Sequence, residues 1–419
     1  MKIPMYRSAI NNCAGIIIPF YVFPISLAKS CSKSSMHPIQ PIYLLLLPSS
    51  LRILCFVMNS KIKNIETASV QTHIIRRLLV GCILLLILLT FALALDVSYG
   101  ETNVPVARVA AVVASHLPFI GDNSSRSVIS LDQTIVWQIR VPRALLALFV
   151  GALLAMAGVV LQGLLLNPLA DPYTVGVSSG AALGAGIATL LGLAGVFGGY
   201  GVPIIAFIFA LGAMVLVYSV ARSAGRVSIH SFLLSGIVVG SFLWALLSCV
   251  LALAAGDPAE AQGKIIAWLM GSFNAADPWS FVHIAAPFAL FGLISLFAFA
   301  RDLNVFSMGE ETARHLGVET ENLKIIILAI ASLITAAAVA VSGIIGFVGL
   351  VVPHICRKIF GPDHRILIPT SALAGASLTV FADLASRAIL PPSGLPVGIV
   401  TAMLGAPFFL YLLKTSKVG

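Results

Sequence analysis

Arg140-Val141-Pro142-Arg143 places two guanidinium groups around a proline, directly before 27 residues that carry no charge. Pro142 suits the first turn of a helix. Cations are disfavoured at a helix N-terminus, so the pair sits there against the local field. Two uses fit such a pair. The guanidinium groups either snorkel into lipid headgroups or form a basic pocket for the carboxylates of a partner. Arg387, at the end of the ninth apolar stretch, joins the pocket unless it pairs with Asp383 four residues earlier. Bond-breaking chemistry finds no footing. Gly176-Val177-Ser178-Ser179-Gly180 matches G-x-S-x-G, but that motif needs a preceding strand and a soluble sheet. Gly263-Lys264 is followed by Ile265, and Pro258 stands where the first glycine of a phosphate loop belongs. Any nucleotide chemistry must therefore come from another chain. The six cysteines show no paired spacing, and Cys82, Cys249 and Cys356 fall in or beside apolar runs, where a thiol behaves as a small hydrophobe. No disulfide and no metal site is inferred.

The elements that position these residues follow from composition. Hydrophobic residues make up 59% of the 419 and charged residues 10%, far below the roughly one quarter of soluble domains. Between Asp171 and Arg222 lie 50 residues without a charge, and between Lys324 and Arg357 lie 32. A spanning helix needs about 20 apolar residues. The first stretch therefore holds two spans, and the second holds two only if one is short. The expected fold is an all-α polytopic membrane protein of about ten helices, near residues 78–97, 143–166, 174–193, 202–221, 229–254, 281–300, 325–342, 344–356, 367–388 and 396–413. The net charge of +9 fits membrane flanks better than nucleic acid, because the basic residues are scattered beside the spans. With the Met58 end in the cytoplasm, fourteen Lys and Arg fall on the cytoplasmic side and six outside, which puts both core termini inside. Arg140 and Arg143 then oppose that bias as well.

Residues 1–57 differ from the rest. They carry six prolines and no acid. A cleaved signal or an extra span fits them, and so does a mis-assigned translation start. The last is favoured, with a conventional start at Met58 and a permease domain over 58–419. The segments 98–139 and 255–280 are long external loops, the second with a surface helix from Ala259 to Phe273. Asn167-Pro168-Leu169-Ala170-Asp171-Pro172 breaks the chain after the second span, freeing backbone groups that belong in protein or beside a water-filled path. Ser307 to Gly317 reads as a short helix in the one sizeable cytoplasmic loop. Ser307 and Glu310 have capping-box spacing, and Gly317 ends the helix. Such a helix suits docking onto a partner. Glycines four apart, Gly176, Gly180 and Gly184, and Gly236 with Gly240, read as close helix packing.

Together these blocks resemble the FecCD-type permeases, the group of ferric-siderophore, haem and cobalamin importers. The resemblance covers roughly residues 70–415. It rests on the arginine block, Gln162 through Pro172, Gly176 through Gly180 and Gly309 through Val318. It continues in Gly346 through His354, Gly361 through Arg365 and Leu395 through Pro407. It implies a homodimer of ten-helix subunits in a prokaryotic inner membrane, two ATP-binding cassette subunits on the cytoplasmic face and a substrate-binding protein outside. No cofactor is bound by this chain, since ATP and Mg are used by the ATPase. Arg140, Arg143 and Arg387 would meet acidic groups of the binding protein. Gly309, Glu310, Ala313, Leu316 and Gly317 would couple to the ATPase. Asn167, Leu169, Ser228 and Ile229 would form the cytoplasmic gate, although Ser228-Ile229 departs from the small polar pair expected there. The expected cargo is a ferric siderophore, with cobalamin or haem as alternatives. The rival class is an ion-coupled secondary carrier, which ordinarily places acids within the bilayer; the spans here are nearly free of them.

Overall fold

The computed structural model describes residues 49–100, 104–116, 131–223, 226–254, 259–274, 277–391 and 394–416. The chain divides into Met1–Val70 and Gln71–Gly419. In the first unit the described residues, 49–70, are helical; most of the N-terminal extension lies outside the described residues. The second unit carries everything that follows.

Long apolar runs become helices because the hydrocarbon phase offers no partner for a free N–H or C=O. The spans are α1 (Ile74–Ser98), α3 (Leu131–Leu164), α5 (Gly201–Ala221), α6 (Ile229–Ala254), α8 (Pro278–Ala298), α11 (Thr320–Ser342) and α13 (His364–Ile389). Among the described residues these seven are long and apolar enough to cross alone. Shorter helices occupy the other three expected positions. They are α4 (Val177–Leu190), α12 (Val348–Phe360) and α14 (Val397–Ser416). After α4 the chain bends by 100° into the turn Leu193–Gly199. Between them lie α2 (Val106–Ser115), α7 (Ala259–Leu269), α9 (Ala300–Phe306) and α10 (Glu310–His315). One two-residue hairpin joins α5 to α6, with β1 (Arg222–Ser223) antiparallel to β2 (Arg226–Val227).

α3 is the hub. Of its most apolar stretch 83% is buried, against 17% for α1. It packs against α8, α11, α12 and α13, while α4 packs on α5 and α6. Lipid gives no hydrophobic drive for helix association, so small residues let backbones touch. A Cβ on Gly158 would fall 1.9 Å from the Gly349 carbonyl oxygen, and one on Gly236 would fall 2.4 Å from that of Thr174.

Two expectations need correction. α3 begins about three turns earlier than the sequence pattern placed it, so Arg140 and Arg143 lie inside a helix and no N-terminal field opposes them. Pro142 cannot donate to the preceding turn. The backbone accommodates it by widening to π geometry over Thr134–Arg140, where the Val141 N–H reaches Val136. The capping box at Ser307 does not form either. The Ser307 hydroxyl donates back to the Leu303 carbonyl at 2.8 Å. Gly309, at φ +110°, supplies the break ahead of α10.

Candidate functional site

The three arginines come together at one end of the bundle, where α1, α3 and α13 meet. Asp383 has no exposed surface, and Arg143 grips it with Nε at 2.9 and 3.1 Å and Nη2 at 2.8 Å. A second contact from Arg143 reaches the Asn274 side-chain oxygen. Arg387 approaches Asp383 at 3.3 Å through Nε, pairs with the carboxylate of Asp96, and donates to the Asp96 and Tyr99 carbonyls at 2.9 and 2.8 Å. Arg140 is buried, and its Nη1 donates to the Val97 and Ser98 carbonyls at 3.0 Å each. The end of α1 has carbonyls without helical partners, and a guanidinium there satisfies them and the local dipole. Arg140 therefore anchors α1 and is not a rim residue. Arg143 and Arg387 keep 14% and 16% of their side chains exposed. Three arginines against Asp96 and Asp383 leave one net positive charge in the cluster. Asp96 and Asn274 were not singled out from the sequence. Asp96 had a signal, as the acid that ends the first apolar run; Asn274 had none.

Between α11 and α12 the chain departs from helix. α11 stops at Ser342, Gly343 adopts φ +70°, and Phe347 adopts φ +68° before α12 begins. Backbone freed at membrane depth must find partners in protein. The Tyr173 hydroxyl donates to the Ile345 carbonyl at 2.7 Å and accepts the Ile345 N–H at 3.1 Å. Ser272 N–H takes the Ser342 carbonyl at 2.8 Å. A cavity of about 110 Å³ lies beside the break, lined by Phe347, Val351, Thr401 and Phe408 among others.

Tyr173 is placed by the turn after α3. In that turn the Asn167 side-chain oxygen accepts the Leu169 N–H at 2.9 Å, and the Asp171 carboxylate accepts the Tyr173 N–H at 3.1 Å. Burial pushes Asp171 up to about 6, partly offset by that amide, and pushes the Tyr173 phenol up too. Leu169 is exposed. Ser228 caps α6, its hydroxyl accepting the Ser231 N–H at 3.1 Å. Ile229 is half-buried. α6 packs on the turn Pro172–Val175, so the four residues of the expected gate lie on neighbouring elements. No direct contact joins Asn167 or Leu169 to Ser228 or Ile229 among the described hydrogen bonds.

At the same end lies α10. Its C-terminus is a Schellman motif, with Gly317 N–H on Arg314, Val318 N–H on Ala313 and Gly317 at φ +87°. Ala313 is fully buried, while Met308 and Leu316 are 68% and 63% exposed. Glu310 is turned inward, to Lys324 at 2.9 Å and Arg314 at 3.2 Å. It fastens α10 to α11 while its side chain stays 29% exposed. The loop is fixed to α13 through Asn304, which donates to Asp363 at 2.7 Å and accepts the His364 N–H at 2.8 Å. Burial alone would raise Asp363, but Arg365, Asn304 and the Arg365 amide outweigh it and hold the acid at about 2.

Apart from one two-residue hairpin, the described elements make a helical, multi-pass membrane protein with a half-length helix in its core and a rigid helical loop at one end. The chain belongs to the FecCD transport family, whose model matches residues 63–415. An uncharacterised ABC transporter permease of Bacillus subtilis, YvrB, is 44% identical over 79% of this chain and 92% of its own length. The cobalamin import permease BtuC of Halobacterium salinarum is 46% identical over 68% of this chain and 75% of its own. The Fe(3+)-citrate import permease YfmD of Bacillus subtilis is 36% identical over 80% and 94%. A solved structure described as an inward-facing metal-chelate type ABC transporter superposes with a TM-score of 0.67. It is 31% identical and covers 80% of this chain and 98% of that one.

Proposed function

We propose that the chain is the membrane-spanning subunit of a binding-protein-dependent importer that moves a metal chelate into the cytoplasm. In this reading it works as a homodimer in the inner membrane of a prokaryote, with both core termini inside. ATP and Mg are handled by two cassette subunits, and this chain binds no cofactor. The observation that carries the reading is the relation between α10 and the rest. A six-residue helix, closed by a glycine at one end and fastened by Glu310–Lys324, projects Met308 and Leu316 into solvent. Rigid apolar knobs of this kind suit a partner that must push on the bundle. Gly309, Ala313 and Gly317 hold the shape, Leu316 with Met308 makes the contact, and Glu310 sets the orientation.

At the other end Arg143 and Arg387 offer their exposed portions to carboxylates of an external binding protein, with Arg140 holding α1 beneath them. Asn167, Leu169, Ser228 and Ile229 border the exit. The cargo is a ferric siderophore, in keeping with the ferric citrate relatives. One observation favours cobalamin instead: the permease named for it is the more similar, at 46% against 36%. Transport by the reconstituted complex against ferric siderophores, haem and cobalamin tests the assignment. Saturable uptake of one chelate class decides the cargo, and uptake of none of them overturns the metal-chelate reading.

A further inference from the structure

A cleft of about 590 Å³ opens between the start of α1 and the end of α12, lined by Arg76, Arg77, Val80, Gly81, Lys358, Ile359, Phe360 and Gly361. Gly81 makes the room, since a Cβ there would lie 3.0 Å from the Phe360 ring. Three cations converge at its mouth, and all three are exposed. Among the described residues no acid pairs with any of them. The wall below is apolar and continues out of the cleft. Val80, Leu84, Ile87 and Phe91 recur at helical spacing and are 50%, 58%, 61% and 57% exposed. From Val80 to Phe91 the helix rises roughly 16 Å, about half of the ~30 Å hydrocarbon core.

We propose that Arg76, Arg77 and Lys358 bind the headgroup of an anionic phospholipid, whose acyl chains lie along the α1 stripe. The cationic mouth matches a phosphodiester, and the stripe spans one leaflet, which a soluble acidic protein would not need. Basic residues beside a span attract anionic headgroups, at about 1 kcal/mol per charge, which is about fivefold each. The cleft lies at the α10 end, because Gly361 stands two residues before the Asp363 that binds Asn304. The site acts on a headgroup in whichever leaflet it meets, so it does not depend on the proposed orientation of the termini.

The test uses the full chain in micelles of detergent with phosphatidylcholine, to which phosphatidylglycerol is added. Bound lipid is counted by native mass spectrometry. Phosphatidylglycerol should be retained over phosphatidylcholine, less so as salt rises. The triple variant Arg76→Gln, Arg77→Gln, Lys358→Gln should bind it roughly a hundredfold more weakly. Arg222→Gln with Arg301→Gln and Lys414→Gln, an equal charge change elsewhere on the same face, should bind as wild type. If the triple variant is not recovered, Lys358→Gln alone should lose about fivefold. Equal retention of the two lipids overturns the proposal. So does equal loss in the control variant, or displacement of the lipid by millimolar inorganic phosphate. Unchanged lipid binding with loss of the cassette subunits from the triple variant would assign the cleft to a protein partner instead.

Discussion

Replacing Asp383 with Asn tests whether the arginine cluster is held from within. The carboxylate is completely buried and takes three hydrogen bonds from Arg143 and an ion contact from Arg387. The amide keeps the shape and removes the charge. Breaking one side of a buried ion pair costs about 3–5 kcal/mol, because the remaining charge is stranded. Two features lower that figure. Arg143 and Arg387 are 14% and 16% exposed, so water screens part of the loss, and Arg387 keeps Asp96. The expected loss is about 2–3 kcal/mol. With an unfolding entropy of about 2.1 cal/mol/K per residue, a chain of 419 residues shifts by ~1 °C per kcal/mol, so the melting shift is roughly 2–4 °C. Thermal unfolding of the purified protein measures it. Arg143→Gln combined with Asp383→Asn should recover part of the loss, with a coupling of about 0.5–3 kcal/mol. Asp383→Asn by itself raises the local charge from one net positive to two, so the binding protein should associate faster with that single variant at low salt. A melting temperature within about 0.5 °C of wild type (about 0.5 kcal/mol or less), with strictly additive double-mutant effects, would refute the reasoning.

Other expectations follow from the same geometry. Tyr173→Phe leaves both backbone groups of Ile345 without their partner and should cost about 1–3 kcal/mol, read as lower thermal stability and slower transport. Leu316→Asp should leave melting unchanged and abolish co-purification of the cassette subunits; unchanged co-purification would remove α10 from the interface. Asp171 gives a pH signature. Burial raises its pKa to about 6 in the folded chain, above the ordinary 3.8 of an aspartate, so the folded state binds the extra proton. This contribution to stability is greatest below 3.8 and is lost as pH rises through about 6. Between pH 5 and pH 7 wild type should therefore lose stability relative to Asp171→Asn, and parallel melting curves across that window would contradict the burial of the acid.

Much of the fold is written in the spacing of charges. The 50-residue run from Asp171 to Arg222 holds α4 and α5, and the 32-residue run after Lys324 holds α11 and the half-length α12. What the sequence hides is contact at long separation. Arg143 meets Asp383 across 240 positions and Arg387 meets Asp96 across 291, and nothing local to an acid says which guanidinium it will face. The i,i+4 alternative for Arg387 was visible and does form, at 3.3 Å, but Asp96 and Tyr99 share the side chain. The capping box expected at Ser307 and Glu310 misled for a related reason. Ser-x-x-Glu spacing is a local signal, whereas Lys324, which claims the carboxylate, lies on the next span. The early start of α3 was hidden because Pro142 mimics a helix start, and only the π turn before it shows that the helix runs through.

The central claim, import driven by a partner's ATPase, is tested most directly by uptake into proteoliposomes holding this chain, its cassette subunits and its binding protein. Ferric siderophore, haem and cobalamin are each supplied, and ion gradients are collapsed with ionophores. Uptake should continue with ATP and Mg on the cassette side and stop when ATP is withdrawn or the binding protein is omitted. Uptake that survives removal of ATP and disappears with the proton or sodium gradient would contradict it and make the chain an ion-coupled carrier.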